Sequence, residues 1–221
     1  MRFAWHMNRD EILELGRHSI DKYDYNMLNR TARQVVENNI VEIGVRYGCS
    51  SMLFGNIAKE RNARLYSVEC DPLPEWDENL KTAGVREYVE LINTYSPWLQ
   101  IDSFPEKIDY LFIDGDHRTM LCIADYVCFM PFVKIGGMIA IHDISNDLCG
   151  GNVKRAVDII FEESKNLKEV CRTEKGLGTV VFRKIKLDIT EVLIYGKGHD
   201  RRRHRQTTNG IRELFTRRCW G

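Results

Sequence analysis

Along the first 185 residues, apolar positions recur alternately as short continuous runs and as helical stripes. Residues 1–39 read as helical with a polar face, carrying Ile12, Leu13 and Leu15, then Met27, Leu28, Ala32, Val35 and Val36. The stretch I-V-E-I-G-V-R-Y-G-C-S-S at 40–51 changes character within a few residues. An apolar run interrupted only by Glu42 gives way to Gly44, Gly48 and a pair of serines. That pattern predicts a buried parallel strand, a tight glycine turn and a helix N-terminus, where backbone N–H groups can approach a ligand. Open α/β sheets bind ligands at this end of their strands.

The alternation continues downstream. A striped segment at 51–61 predicts a helix, and an apolar run at 63–69 a strand ended by Asp71, Pro72 and Pro74. A helix follows at 76–84, a short strand at 88–92 and a connector at 97–104. The run I-D-Y-L-F-I at 108–113 is the most apolar strand and ends in D-G-D-H; a helix is expected at 117–129. A turn at Gly136–Gly137 leads to a strand at 138–141 that ends in His142 and Asp143, then a helix at 153–165. Strands at 169–172 and 179–183, joined by E-K-G-L-G, read as an antiparallel hairpin. The sum is an α/β fold: a doubly wound, mostly parallel, seven-stranded sheet with a terminal antiparallel hairpin. The pattern weakens after 185, apart from an apolar stretch at 189–195. The chain divides into a helical cap (1–38), a central domain (39–185) and a basic extension (186–221).

Composition narrows the class. At 221 residues, 43% hydrophobic and 29% charged, the chain suits one soluble domain with decoration. Its net charge of zero excludes a whole-protein field that would attract nucleic acid or an acidic membrane. From Lys186 onward, however, nine Lys and Arg stand against four Asp and Glu. Seven scattered cysteines without a C-x-x-C pair fit reduced thiols rather than disulfides or zinc. No run approaches the length of a membrane span and no signal pattern opens the chain, so a cytoplasmic location is expected.

The glycine turn fails both phosphate patterns, G-x-G-x-x-G and G-x-x-x-x-G-K-[ST]. It reads instead as E-x-G-x-x-x-G-x-S, with Glu42 taken to face the ligand and to favour an ammonium or sulfonium charge. Glu69, twenty-five residues beyond Gly44, stands where an acidic strand end accepts hydrogen bonds from a ribose. Asp114, Asp116, His117, His142 and Asp143 are expected to converge, since strands four and five are neighbours in such a sheet. A cluster of that kind suits Mg²⁺ or Mn²⁺, held by Asp114, His142 and Asp143, which would activate a hydroxyl nucleophile. The blander reading has Asp116 and His117 capping a helix and Asp143 opening a turn.

Residues 42–50, Glu69, L-F-I-D-G-D-H and K-I-G-G-M-I-A-I-H-D together resemble class I S-adenosylmethionine-dependent methyltransferases. The likeness is to small O-methyltransferase-like proteins with F-I-D-G-D-H and H-D strand ends, and the spacing is similar to that of catechol O-methyltransferases. The resemblance spans residues 35–183 and implies a Rossmann-like methyltransferase fold. It implies that Glu42, Gly44, Gly48 and Ser50 surround the methionine end of the cofactor, and that Glu69 holds the ribose. Adenine contacts would come from residues 93–95, with Asn93 first, and from 114–116. His117, three positions after Asp114, would be the catalytic base beside Asp114 and Asp143. Two departures stand out: Arg46 replaces a glycine of many members, and His142 replaces an aspartate of the catechol type.

The implied activity is methyl transfer to a small-molecule hydroxyl with divalent-metal assistance. Two rivals remain open: methylation of RNA or protein using the basic tail, and a cofactor-binding partner subunit without catalysis. The tail itself is open to three readings, a solvated extension (preferred), a polyanion contact, or packing in a homo-oligomer through Leu214, Phe215 and Trp220. His6, His18, His199 and His204 read as solvated. Trp76, Trp98 and Tyr95 read as packing residues that could otherwise face an aromatic substrate.

Overall fold

A computed structural model describes residues 7–96, 107–145 and 152–187. Its seven strands are β1 (Asn39–Ile43), β2 (Arg64–Glu69), β3 (Val89–Asn93), β4 (Ile108–Ile113), β5 (Val133–His142), β6 (Leu167–Thr173) and β7 (Thr179–Lys184). They form one sheet in the order β3-β2-β1-β4-β5-β7-β6. The first five pair in parallel, while β7 pairs antiparallel with both β5 and β6. The doubly wound sheet and its terminal hairpin are those expected from the sequence. The order reverses at β1, between β2 and β4, and a crevice opens at such a switch point.

Helices cover both faces. α1 (Arg9–Leu15), α2 (Lys22–Val35), α3 (Cys49–Arg61) and α4 (Pro74–Thr82) contribute Ile12, Leu28, Phe54 and Trp76 to a core shared with Tyr110, Phe112 and Met138 of the sheet. α5 (Thr119–Phe129) and α6 (Val153–Glu163) pack Tyr126, Phe129 and Val157 against Leu111, Ile113, Ile139 and Phe182. Successive strand residues point to opposite faces, so β4 must be apolar throughout, and all six of its residues are buried.

Local chemistry explains the boundaries. Asn8 and Glu11 form a capping box on α1, and Asp21 caps α2 by accepting from the amides of Tyr23 and Asp24. α4 begins at Pro74, two residues earlier than expected, because proline suits the first helical position. α5 begins at Thr119 rather than 117, because the Asp116 carboxylate accepts from the Arg118 amide (2.9 Å) and guanidinium and turns the chain.

The glycine pair Gly136–Gly137 is a correction. It lies inside β5 as a bulge, where the register jumps from Ile108↔Val133 to Tyr110↔Met138. Gly136 has φ +86°, and a Cβ on Gly137 would stand 2.9 Å from the Lys134 carbonyl. The connector at 97–104 with Trp98, the stretch 189–195, the basic tail, His6, His199 and His204 lie outside the described residues. Among the described residues no helix is long and apolar enough to cross a membrane.

Candidate active site

At the carboxyl ends of β1, β2, β4 and β5 lies a cavity of about 620 Å³, within the usual range for a small-molecule site. A more open, polar recess of about 870 Å³ lies at the opposite ends of the strands, around Asn39, Arg64, Lys107 and Asp109. There Asp109 is committed to the amides of Glu37, Asn38 and Asn39 and to Lys134, which makes that recess a structural junction.

The glycine loop forms one wall of the cavity. Gly44 (φ +86°) and Ser50 line it, together with Val45 and Arg46. A Cβ on Gly44 would lie 2.1 Å from the Asp114 carbonyl oxygen, so the β1 and β4 loops meet only because none is there. Glu69 stands at the cavity with its carboxylate fixed by three amides: Val45 (3.2 Å), Cys70 (2.8 Å) and Asp71 (3.2 Å). Leu73, Tyr95 and Leu121 offer apolar surface for a base. Asp125, buried on α5, accepts from the Ser96 hydroxyl, and burial pushes its carboxyl up to about 7. These groups fit a nucleoside with a charged tail: a carboxylate for ribose hydroxyls, a greasy slot, and the Arg46 guanidinium for an anion.

Three expected cofactor residues sit elsewhere. Glu42 is fully buried and does not line the cavity; the hydroxyls of Ser51 and Ser67 donate to one oxygen, while the other has no partner. Burial raises its carboxyl to about 7 against the pull of those serines. It braces the loop from behind instead of facing a ligand. Gly48 (φ +83°) begins α3 and abuts Trp76, whose indole N–H donates to Ser51 at 2.9 Å; both residues are packing. Asn93 turns its amide nitrogen toward the carbonyls of Glu69 (3.3 Å) and Cys70 (3.1 Å), and its neighbours Thr94 and Tyr95 reach the cavity instead.

The acidic cluster does assemble, and both histidines stand beside its carboxylates. Asp114, His117 and Asp143 each offer a ligand atom, all within 4.8 Å of one another. His117 Nε2 stands 2.6 Å from Asp143 Oδ2 and 4.0 Å from Asp114 Oδ1, and it has no aligned hydrogen-bond acceptor. A buried imidazole nitrogen without an aligned partner, facing two carboxylate oxygens, fits a hard or borderline divalent cation. His142 is not part of this group. Its Nδ1 lies 3.1 Å from Asp114 Oδ1 and its Nε2 3.3 Å from Asp24 Oδ2, so both ring nitrogens are engaged by carboxylates.

Asp114 and Asp143 together raise the His117 imidazole to about 10 despite its partial burial. Burial alone would pull His142 down, but Asp114, Asp143 and Asp24 outweigh it and hold it well above its ordinary value. Among the described residues, Glu69, Asp71, Asp114, Asp116, Asp125 and Asp143 line the cavity with Arg46 and His117, and Arg118 pairs with Asp116; the remaining excess of carboxylates favours cations. Asp24 and Asp125 escaped the sequence reading. Nothing marks Asp24 beyond its place in a helix's first turn, where the helix dipole already accounts for it.

A family model described as a methyltransferase domain matches residues 41–144, the span from β1 to just past Asp143. An uncharacterized protein, R132, of Acanthamoeba polyphaga mimivirus is 33% identical over 134 residues, covering 56% of this chain and 59% of its own. The chain thus spans well under two thirds of that curated relative. Among solved structures, a putative O-methyltransferase from Klebsiella pneumoniae superposes with TM-score 0.65 at 20% identity, covering 80% of this chain and 90% of that one. An O-methyltransferase from Bacillus cereus in complex with SAH superposes at 0.62 and 19% identity, with coverage of 80% and 90%. With the glycine loop, Glu69 and the acidic strand ends in place, residues 41–144 match a methyltransferase domain and the chain shares the fold of these solved O-methyltransferases.

Proposed function

We propose that this chain transfers the methyl group of S-adenosylmethionine to a hydroxyl oxygen of a small molecule, assisted by Mg²⁺ or Mn²⁺. The observation that carries this reading is the placement of Asp114, His117 and Asp143 on the same cavity as Gly44, Ser50 and Glu69. Glu69, locked by three amides, presents an oriented carboxylate to ribose hydroxyls. The excess of carboxylates around the cavity favours a sulfonium, and Arg46 is placed to balance a methionyl carboxylate. Asp114, His117 and Asp143 would hold the cation, which when bound lowers the pKa of an acceptor hydroxyl. The residues of this chain orient acceptor and donor, and positioning of this kind removes much of the barrier to in-line transfer. The cation ligands differ from the set expected from sequence, with His117 replacing His142.

Thermal shift with S-adenosylmethionine, S-adenosylhomocysteine and NAD, each with and without Mg²⁺, tests the reading. Stabilisation by the two sulfur nucleosides is expected, because a ligand that binds only the folded state raises its stability. A shift with NAD alone overturns it. The rival RNA reading rests on the basic run 201–205, outside the described residues. Titration with RNA at rising salt separates the two, since phosphate binding weakens steeply with ionic strength.

A further inference from the structure

Asp24 lies on α2, far in sequence from the strand ends, yet it is fully buried directly behind the cation group. Its Oδ1 accepts from the Thr179 hydroxyl at 2.7 Å, and its Oδ2 stands 3.3 Å from His142 Nε2. The opposite ring nitrogen of His142 stands 3.1 Å from Asp114 Oδ1. A buried carboxylate is costly unless every oxygen is partnered, and here each oxygen has one partner in a fixed direction. The chain of contacts runs through four elements: α2, the start of β7, and the ends of β5 and β4.

We infer that Asp24 is a positioning residue for the cation group: it fixes the His142 ring, which in turn fixes the Asp114 carboxylate. The inference rests on the cation reading proposed above. Rotation of the imidazole by half a turn would present ring carbons to both carboxylates, so Asp24 and Asp114 together select one ring orientation. Asp114 then has one oxygen directed by His142 while its carboxylate still reaches His117 and Asp143. Outer partners that orient a ligand in this way commonly govern metal affinity about 10- to 100-fold. The same helix follows the loop that brings Ser19 to the cavity wall, so α2 ties that part of the wall to the acid cluster.

The test is Mn²⁺ binding to the full chain, read by electron paramagnetic resonance, with S-adenosylhomocysteine affinity measured in parallel by calorimetry. Asp24→Ala is expected to weaken Mn²⁺ at least about tenfold while leaving S-adenosylhomocysteine affinity unchanged. Asp24→Asn can accept from His142 through its amide oxygen and donate to the Thr179 hydroxyl through its nitrogen, so it is expected to bind Mn²⁺ within about threefold of wild type. Should Asp24→Ala fail to fold, Thr179→Val removes only the hydroxyl that aims Asp24, and weakened Mn²⁺ binding is again expected. Wild-type Mn²⁺ affinity in the folded Asp24→Ala or Thr179→Val protein overturns the inference and leaves the cation reading standing. A wild-type chain that takes up no Mn²⁺ removes the cation reading and this inference with it.

Discussion

Gly44 and Asp114 are packed so closely that a Cβ on the glycine would stand 2.1 Å from the aspartate's carbonyl oxygen. The Asp114 amide donates to Ile43 (2.9 Å) and joins the two loops, while the Gly44 amide donates to Val68 of β2 (3.0 Å). The cofactor wall and the acid cluster are therefore one rigid piece. Gly44→Ala meets both this clash and a φ of +86°, and it should cost roughly 3 kcal/mol or more. Urea unfolding should show a lowered midpoint and calorimetry a loss of S-adenosylhomocysteine binding. A wild-type midpoint would contradict the close approach.

Arg46 occupies the left-handed region at φ +44°, where a side chain is strained. Arg46→Gly should relieve about 1 kcal/mol, a rise in Tm of roughly 2–4 °C for a chain of this size. The same substitution removes the one guanidinium lining the cavity among the described residues, so S-adenosylhomocysteine should bind more weakly. A variant more stable yet weaker in binding is the expected pair of results; an unchanged dissociation constant would remove Arg46 from the site.

Glu42 predicts a pH effect of definite sign. Its ordinary value is 4.5 and burial lifts it to about 7 in the folded chain, so the folded state holds the proton more tightly than the unfolded one. That contribution is complete below pH 4.5 and is lost as pH rises through about 7, by roughly 3 kcal/mol. Glu42→Gln cannot ionise, so it should raise Tm at pH 8 relative to wild type and change it little at pH 4.5. Equal shifts at both pH values would show that the carboxyl does not titrate in this range.

Asp143 also lies in the left-handed region, at φ +64°, a conformation that asparagine tolerates well. Asp143→Asn should therefore fold with a Tm near wild type while losing most of its Mn²⁺ affinity and methyl transfer. EDTA should abolish transfer in the wild-type chain without displacing S-adenosylhomocysteine. Full turnover in EDTA would leave Asp114, His117 and Asp143 without a cation role.

Much of this architecture is written in near-neighbour chemistry. The apolar run at 108–113 is β4 residue for residue, because a central strand covered on both faces must be apolar at every position. The glycine turn, the carboxylate closing β2 and the D-G-D-H after β4 were legible for the same reason: turn chemistry and strand ends are set by adjacent residues. Which acidic and imidazole groups meet is a different kind of question. His142 and Asp24 are 118 positions apart and touch only because α2 packs across the end of β5. That contact engages the far ring nitrogen of His142, while His117 stands with Asp114 and Asp143. Whether Glu42 faces a ligand or is buried depends on Ser51 and Ser67, brought to it by α3 and β2. Periodicity and turn residues thus determined the sheet and the place of its cavity. Side-chain roles within that cavity were decided by long-range packing, which no local pattern encodes.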